Sequence, residues 1–411
     1  MALGDLNDWL SERTDSRSFW YLKRLSGNDT LANGSHQAGP YIPKDLLFEL
    51  FPSIRDASTL NPRIEFDVDV DSHAEHKRVT AIWYNNHLHG GTRNETRVTN
   101  WGGSSSAVLN PESTGALTAF AFSRPASDQP VSLHVWVCRN AFEEDVIEER
   151  ISPVEPGEHV IWRPGEADIH RVMAAAPAAA MSCSLTPAQM PPGWLTVFPS
   201  GADIVRKVCQ LRPADGASAD SRLIRRRDCE YEVFQSVEQA IEGSVISHGF
   251  HSIADFLTTA QRVLQRRKAR SGKSLELQMK QIFLEEGLVA GQDFSHNPES
   301  ESGKRPDFLF PSQKSYQDPD FDVARLRMLA TKTTCKDRWR QVINEADRIA
   351  VKHLLTLQEG VSLRQYAEMK DAGIRLVIPT PLIKKYPESV QPDLMTVEAF
   401  VSSIRHLAPA R

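Results

Sequence analysis

The sequence predicts two domains of different class: a mainly β unit over residues 1–172, and an α/β unit over residues 191–411 with a central mixed sheet flanked by helices. Three observations lead there. At 411 residues the chain exceeds what a single hydrophobic core usually organises. Its first part is rich in short strand patterns separated by turn residues, whereas its second alternates helical and strand patterns. Between them, residues 173–190 read MAAAPAAAMSCSLTPAQM, rich in Ala and Pro and almost free of charge, which is linker composition.

Taken in order, Ile64, Phe66, Val68 and Val70 alternate with Glu65, Asp67, Asp69 and Asp71, the pattern of a half-buried strand. RVTAIWYNN, GALTAFAF and SLHVWVCRN read the same way, so the first domain is expected to be a barrel or sandwich. The acidic row Asp67, Asp69, Asp71 lacks the glycine and distal glutamate of a calcium loop and is assigned to a solvent face. In the second domain CEYEVFQSVEQAIEG, IADFLTTAQRVLQRRK and SLELQMKQIFLEEGL have helical spacing, the last stopping at Gly287. PDFLF and RMLATKTT are strands. A helix is expected from Asp337 to about Lys352, with the apolar stripe Trp339, Val342, Ile343, Ala346, Ile349 and Ala350. HLLTL and IRLVIPT are buried strands. Gly272-Lys273-Ser274 is no phosphate loop, because Arg267 stands where that motif needs glycine and no strand precedes it.

Composition narrows the classes. With 40% hydrophobic and 25% charged residues the chain is globular. It has no run of eighteen apolar residues to span a membrane, and its acidic, amphipathic N-terminus is not a signal peptide. Five scattered cysteines, never in CxxC spacing, argue for a reducing cytoplasm and against zinc. Although the net charge is −5, basic residues cluster at Arg222–Arg227, Arg262–Lys273 and Lys332–Arg340, a distribution expected of a polyanion-binding surface.

The chemistry concentrates between Arg305 and Glu345. Metal-assisted phosphodiester hydrolysis needs carboxylates to hold a hard divalent cation and a cation near the attacking water. Asp307 follows Pro306 at the start of a strand, and Lys332 lies 25 positions on (332 − 307), at the end of the next. The PD-(D/E)xK pattern wants an acid two residues before the lysine, but that position is Ala330. Glu345, 13 residues beyond Lys332 (345 − 332), is expected to deliver the missing carboxylate from the following helix. Glu276 is a fourth candidate.

These residues carry a resemblance. KTTCKDRWRQVINEAD, preceded by GKSLEL and KRPDFLFPS, resembles the EcoRII-type restriction endonucleases, PD-(D/E)xK enzymes with a swapped acidic residue. YLKRLSGNDT, GSHQAGPYIP, TRNETR, WGGSSS, NPESTGALT, EEDVIE and LQEGVSL extend it over nearly the whole chain. The resemblance departs at the linker and at HNPESESGK before Asp307, which reads as a loop insertion. It implies an N-terminal DNA-binding pseudobarrel and a C-terminal restriction-endonuclease-like domain. Together they would form a Mg²⁺-dependent type II enzyme of the bacterial cytoplasm that cuts double-stranded DNA at or near CCWGG, W being A or T.

By that resemblance Asp307, Lys332 and Glu345 are the catalytic set, Asp307 and Glu345 holding the metal, with Glu276 and Tyr316 assisting. Lys336, Asp337 and Arg338 would read the C·G pairs, chemistry that suits guanine acceptors and the cytosine amino group. Arg227 and Tyr231, four apart on a helix, would hold nucleotides flipped from the central pair. In the N-terminal domain Lys23, Arg24, Asn28, Asp29, His36 and Gln37, and Arg93, Asn94, Glu95 and Arg97, would bind a second copy of the site as effector while the domain shields the catalytic cleft. A homodimer through the C-terminal domain and a partner cytosine DNA methyltransferase are also implied. Two alternatives stay open: a catalytically inactive, repressor-like DNA-binding protein on the same fold, suggested by Ala330, and a structure-specific repair nuclease.

Overall fold

The computed structural model describes residues 3–15, 17–34, 39–123, 131–164, 170–173 and 182–407. The N-terminal domain runs α1 (Leu3–Glu12), β1 (Ser18–Arg24), α2 (Lys44–Leu50), β2 (Arg63–Val70), β3 (Glu75–Tyr84), β4 (Glu95–Thr99), β5 (Leu117–Ser123), β6 (Ser132–Val137), α3 (Ala141–Arg150), β7 (Glu158–Trp162) and β8 (His170–Met173). Its strands form one sheet in the order β4-β3-β2-β6-β5-β1-β7-β8, antiparallel except for β2 with β6. Strands β1 and β5 are covered on both faces. Tyr21, Phe120 and Phe122 enter one core, while Trp20, Leu22, Ala119 and Ala121 enter another beneath α1 and α3. By contrast β2 is half-buried, as its alternation predicts. Asp67 and Asp69 face Arg78 and His76 across the β2–β3 ladder and bond to them at 3.0 and 2.7 Å. Asp67 and Asp69 are thus engaged by cross-strand partners on the half-exposed face of β2.

The C-terminal domain contains α4 (Gly201–Leu211), α5 (Ala219–His248), α6 (Ile253–Glu285), β9 (Ser295–His296), β10 (Phe308–Phe310), α7 (Gln313–Gln317), β11 (Arg327–Lys332), α8 (Trp339–Val342), β12 (Lys352–Thr356), α9 (Leu363–Asp371), β13 (Ile374–Val377) and α10 (Val397–Leu407). Its five-stranded sheet has the order β13-β12-β11-β10-β9 and is mixed: β9, β10 and β11 pair antiparallel, β11, β12 and β13 parallel. One face packs on Leu223, Met279, Phe283 and Phe400 from α5, α6 and α10. The other packs on Trp339, Val342 and Met369 from α8 and α9. The predicted mixed sheet with flanking helices is therefore present.

Several expectations are corrected. The helical patterns of the second domain fuse into two long helices, α5 and α6, and Gly272 lies inside α6, so no phosphate loop forms there. The helix expected from Asp337 to Lys352 is a single turn, α8. Ala346, at φ 50°, interrupts it, and the carbonyls of Ala346 and Ile349 are captured by the Lys352 ammonium at 3.3 and 2.7 Å instead of by helix N–H groups. The thiols are not all free: Cys183 and Cys229 form a disulfide. Of the Ala/Pro-rich linker, residues 174–181 lie outside the described residues.

Two basic clusters pair with acids of the same domain, the first of them buried. Arg222 and Arg226 are buried against Glu285, with Arg222 also on Glu286, and Arg262, Arg266 and Arg267 pair with Glu242 and Glu238 between α5 and α6. Long side chains on two facing helices neutralise each other there, so charge clustering overstated the DNA-facing surface. Arg24 ends β1 rather than lying in a loop. It is buried, bonded to Glu144 at 2.8 Å, Glu148 at 2.9 Å and the Val154 carbonyl at 2.7 Å.

Removing one partner of a buried ion pair leaves the other charge uncompensated, which costs about 3–5 kcal/mol. Arg24→Ala is therefore expected to lower the denaturant midpoint of the N-terminal domain markedly. Unchanged stability with weakened DNA binding would instead restore Arg24 to the DNA-contacting surface.

Candidate active site

The pairing of Phe308 with Leu329 sets Asp307 beside the end of β11. There its Oδ2 accepts from the Thr331 N–H at 2.6 Å and the Thr331 hydroxyl at 2.9 Å. That fixes one oxygen, and among the described residues no hydrogen bond engages the other. Lys332 ends the same strand. Period-two alternation puts Met328, Ala330 and Lys332 on one face, and Met328 and Ala330 belong to the core that includes Leu309, Val342 and Ala346. Ala330 is fully buried in that packing. The position where the usual pattern carries an acid is thus occupied by core, and the segment that covers it delivers Glu345.

Glu345 comes from the turn after α8, not from along a helix. Its N–H donates to the Val342 carbonyl at 3.1 Å. The next residues are pinned from outside: Asp347 N–H donates to Glu301 at 3.0 Å, and Arg348 N–H to the Tyr316 hydroxyl at 3.1 Å. The Tyr316 hydroxyl also donates to Glu301. Tyr316 is buried, so it supports the turn that carries Glu345 instead of presenting its hydroxyl to a substrate.

Asp307, Glu345 and Lys332 interact electrostatically. Burial pushes the Glu345 carboxyl up to about 7, with Lys332 opposing and Asp307 adding to the rise. Burial raises Asp307 too, against the pull of Lys332. Both carboxyl groups feel the field of one ammonium, and Glu345 Oε2 is buried with no partner among the described residues. This donor set fits a hard divalent cation, which takes one or two carboxylates and fills its shell with water and phosphate oxygens. Among the described residues no group of three or more His, Cys, Asp or Glu side chains is gathered closely enough to hold a metal ion, so here two protein carboxyl groups would have to be completed by water and phosphate oxygens.

Glu276, on α6, is nearly buried beside Asp307 and contributes to its raised pKa. Burial works against its own charge, but hydrogen bonds from His296 and Asn297 outweigh that and hold it low. Since a carboxylate only accepts, His296 must carry its proton on Nε2, and Asn297 Nδ2 donates at 2.6 Å. Asn297 N–H also donates to the Asp307 carbonyl at 2.9 Å. His296 and Asn297 were missed in the sequence because they open a stretch that reads as loop insertion, and only the β9–β10 pairing brings them in.

Lys336, Asp337 and Arg338 lie between β11 and α8, with Arg338 as the N-cap residue of α8. Arg227 and Tyr231 share a face of α5. The Arg227 guanidinium bonds to Glu155 at 3.1 Å and the Pro156 carbonyl at 2.7 Å, both from the N-terminal domain. Arg270 stacks over the Tyr231 ring at 4.9 Å and bonds Glu155 at 2.6 Å. Nearby, Lys336 Nζ donates to the Cys138 carbonyl at 3.1 Å, Ser362 to Glu112 at 2.6 Å, and Lys268 pairs with Asp145 and Glu149. Acidic and carbonyl oxygens of one domain meet the cationic groups of the other.

The expected effector residues divide. Arg93, Asn94, Glu95 and Arg97 gather on and beside the edge strand β4. Glu95 bonds Arg93 at 2.6 Å and Arg97 at 3.2 Å, and Asn94 accepts from Lys44 and Trp83. Lys23 and Arg24 belong to β1, not to a loop. Asp29 is buried and takes the Ser26 and Tyr41 N–H groups and the Lys23 ammonium, which makes it a turn-forming residue. Asn28 accepts from Asn33. His36 and Gln37 lie outside the described residues.

Two family models match. One described as restriction endonuclease EcoRII, N-terminal, covers residues 14–166, and one described as EcoRII C terminal covers residues 234–401. The type II restriction enzyme EcoRII of Escherichia coli is 41% identical over 413 aligned positions, 99% of each chain. Metal-depleted Ecl18kI in complex with uncleaved, modified DNA aligns with TM-score 0.41 and 18% identity over 51% of this chain and 79% of that one. The UbaLAI B3 domain with cognate DNA aligns with TM-score 0.22 and 21% identity over 32% and 79%.

A carboxyl raised from 4.5 to about 7 on folding binds more protons in the folded state, so stability falls as pH rises through that window. Without divalent cation, the melting temperature is therefore expected to drop between about pH 5 and about pH 8, and Glu345→Gln to flatten the drop. Adding Mg²⁺ should stabilise the native protein most at the higher pH. An equal slope in E345Q would remove Glu345 as the source.

Proposed function

This chain belongs to the EcoRII family of type II restriction enzymes, and on that premise we propose that it cuts both strands of double-stranded DNA at or near CCWGG with Mg²⁺ as cofactor. It is a site-specific deoxyribonuclease, and DNA is its partner. The observation that carries the catalytic assignment is the convergence of Asp307, Glu345 and Lys332 at the end of β11, two half-buried carboxyl groups and one ammonium within electrostatic reach. A divalent cation held by Asp307 and Glu345 would polarise the scissile phosphate and make a water more acidic. Thr331 keeps Asp307 oriented, Lys332 orients the attacking water and offsets charge developing on the phosphate, and Glu276 accepts from that water network.

Lys336, Asp337 and Arg338 read the outer C·G pairs, donating to guanine O6 and N7 and accepting from cytosine N4. Arg227 and Tyr231 hold the extruded central nucleotides, which lets A and T be tolerated alike. A near-palindromic site cut on both strands calls for a symmetric homodimer through the C-terminal domain. A partner cytosine methyltransferase protects the host.

The N-terminal domain binds a second copy of the site through the Arg93–Arg97 segment and, when it has none, shields the first. Supporting this, Glu155 occupies Arg227, with Arg270 beside it, and the Cys138 carbonyl occupies Lys336, so Arg227 and Lys336, both assigned to DNA, are already bonded to protein oxygens. Glu155→Gln weakens that closure. Loss of about 1.4 kcal/mol shifts a closed–open balance tenfold, so E155Q is expected to cut single-site plasmid about tenfold faster while two-site plasmid changes little. Unaltered single-site cleavage would place the latch elsewhere.

Cleavage itself is tested on plasmid carrying several CCWGG sites, with and without Mg²⁺, followed by end sequencing. Asp307→Ala is expected to lose at least about a thousandfold in rate, the scale of losing a central electrostatic contributor, while still shifting the DNA in a gel. Wild-type cleavage by D307A would overturn the assignment. Cuts at junctions regardless of sequence would point to a structure-specific nuclease.

A further inference from the structure

The segment Thr334–Arg338 carries the base-reading residues, yet no strand pairs with it. The parallel β11–β12 ladder ends at Lys332 with Thr356. Beyond that point a side chain replaces the missing strand. Gln358 is 1% exposed, and its Oε1 accepts from two consecutive backbone N–H groups, Cys335 at 3.0 Å and Lys336 at 2.9 Å. Its Nε2 donates to the Gly360 carbonyl at 2.8 Å, and its own carbonyl accepts from the Tyr386 hydroxyl at 2.8 Å. Thr356 Oγ1 accepts from the Gln358 N–H at 3.2 Å and donates to the Thr333 carbonyl at 3.3 Å. A carboxamide suits this place because it accepts on one atom and donates on the other. Without the acceptor, two adjacent N–H groups at the start of the reading segment would be left unpaired in a buried setting.

The opposite side of the same side chain meets the N-terminal domain. Gly115 has φ +86°, and a Cβ there would stand 2.5 Å from Gln358 Cδ. One residue on, the Glu359 carbonyl accepts from Gly27 N–H at 2.7 Å, and Gly360 lies against the Gly27 backbone. Glycines from the N-terminal domain are what let it approach this loop so closely. We propose that Gln358 is a specificity-positioning residue: it sets the backbone of the Lys336–Arg338 segment, and through Gly115 it is where the N-terminal domain bears on that segment. The proposal rests on the reading of Lys336, Asp337 and Arg338 as base contacts.

The test uses the full-length protein and compares cleavage of CCWGG with cleavage of sites altered at one outer C·G pair. Gln358→Leu, which keeps bulk and removes the acceptor, is expected to reduce that discrimination at least about tenfold, the order supplied by one base contact. Gln358→Glu, which keeps the acceptor for Cys335 and Lys336 and gives up the donation to Gly360, should lose clearly less than Q358L, a partial rescue that a merely space-filling role would not produce. Lys336→Ala is the control. If K336A discriminates as wild type does, the base-reading assignment itself fails. If K336A loses discrimination and Q358L does not, the proposal alone is overturned. Equal loss in Q358E and Q358L also overturns it, because the acceptor would then be irrelevant. Should Q358L fail to fold, Thr356→Val, which removes only the hydroxyl under Gln358, is expected to lose discrimination about threefold in the same direction, and wild-type discrimination there overturns the proposal.

Discussion

Two carboxyl groups crowded beside one ammonium and partly withdrawn from water cannot all be charged without cost. Much of the C-terminal domain follows from that constraint. Asp307 is held by Thr331 across the strand pair, Glu345 by a turn fastened through Tyr316, Glu301 and Lys352, and Glu276 by His296 and Asn297. Each acid arrives on a different element, and each has its own supporting contacts. What keeps the acids close is the scaffold rather than mutual attraction. A site that repels itself when empty is one that a dication stabilises on arrival.

The same arithmetic operates where the domains meet. Arg227 and Arg270 are buried at the boundary, and a buried guanidinium needs an anion. Glu155 serves both, and the pairing keeps these arginines charged despite burial. DNA phosphates offer the same complement, so under the proposed shielding role a closed protein and a protein–DNA complex would satisfy Arg227 in alternative ways. Competition of this kind needs no distortion of either domain, only exchange of one set of oxygens for another.

How much of this was legible in the sequence depends on the range of the interaction. The alternation of Ile64 to Asp71 and the apolar runs around Leu309, Leu329 and Leu355 identify strands because their periodicity is local. Asp307 and Lys332 could be found because a strand pair joins them. Glu345 was found in sequence but assigned to the wrong backbone: its residues have helical spacing, and only Ala346 in the left-handed region, with Lys352 reaching back to cap carbonyls, breaks the helix. His296, Asn297 and Gln358 left no local signal, since their partners are 20, 21 and 22 or 23 positions away. Arg24 and Asp29 misled for the reverse reason. Charged residues near a turn read as surface until their buried partners, Glu144 and Glu148 for one and Lys23 for the other, are known.

The disulfide between Cys183 and Cys229 fastens the linker itself to α5, two residues beyond Arg227. It therefore changes where the tether to the N-terminal domain is anchored. A shielding domain on a short tether faces its docking surface at an effective concentration on the order of millimolar. Such a domain can use weak contacts and still stay closed, and its release is governed by the tether as much as by the interface. If the N-terminal domain shields the cleft as proposed, opening the disulfide would lengthen the leash from the helix to the domain, dilute the shield without altering any contact it makes, and let DNA at a single site compete on better terms.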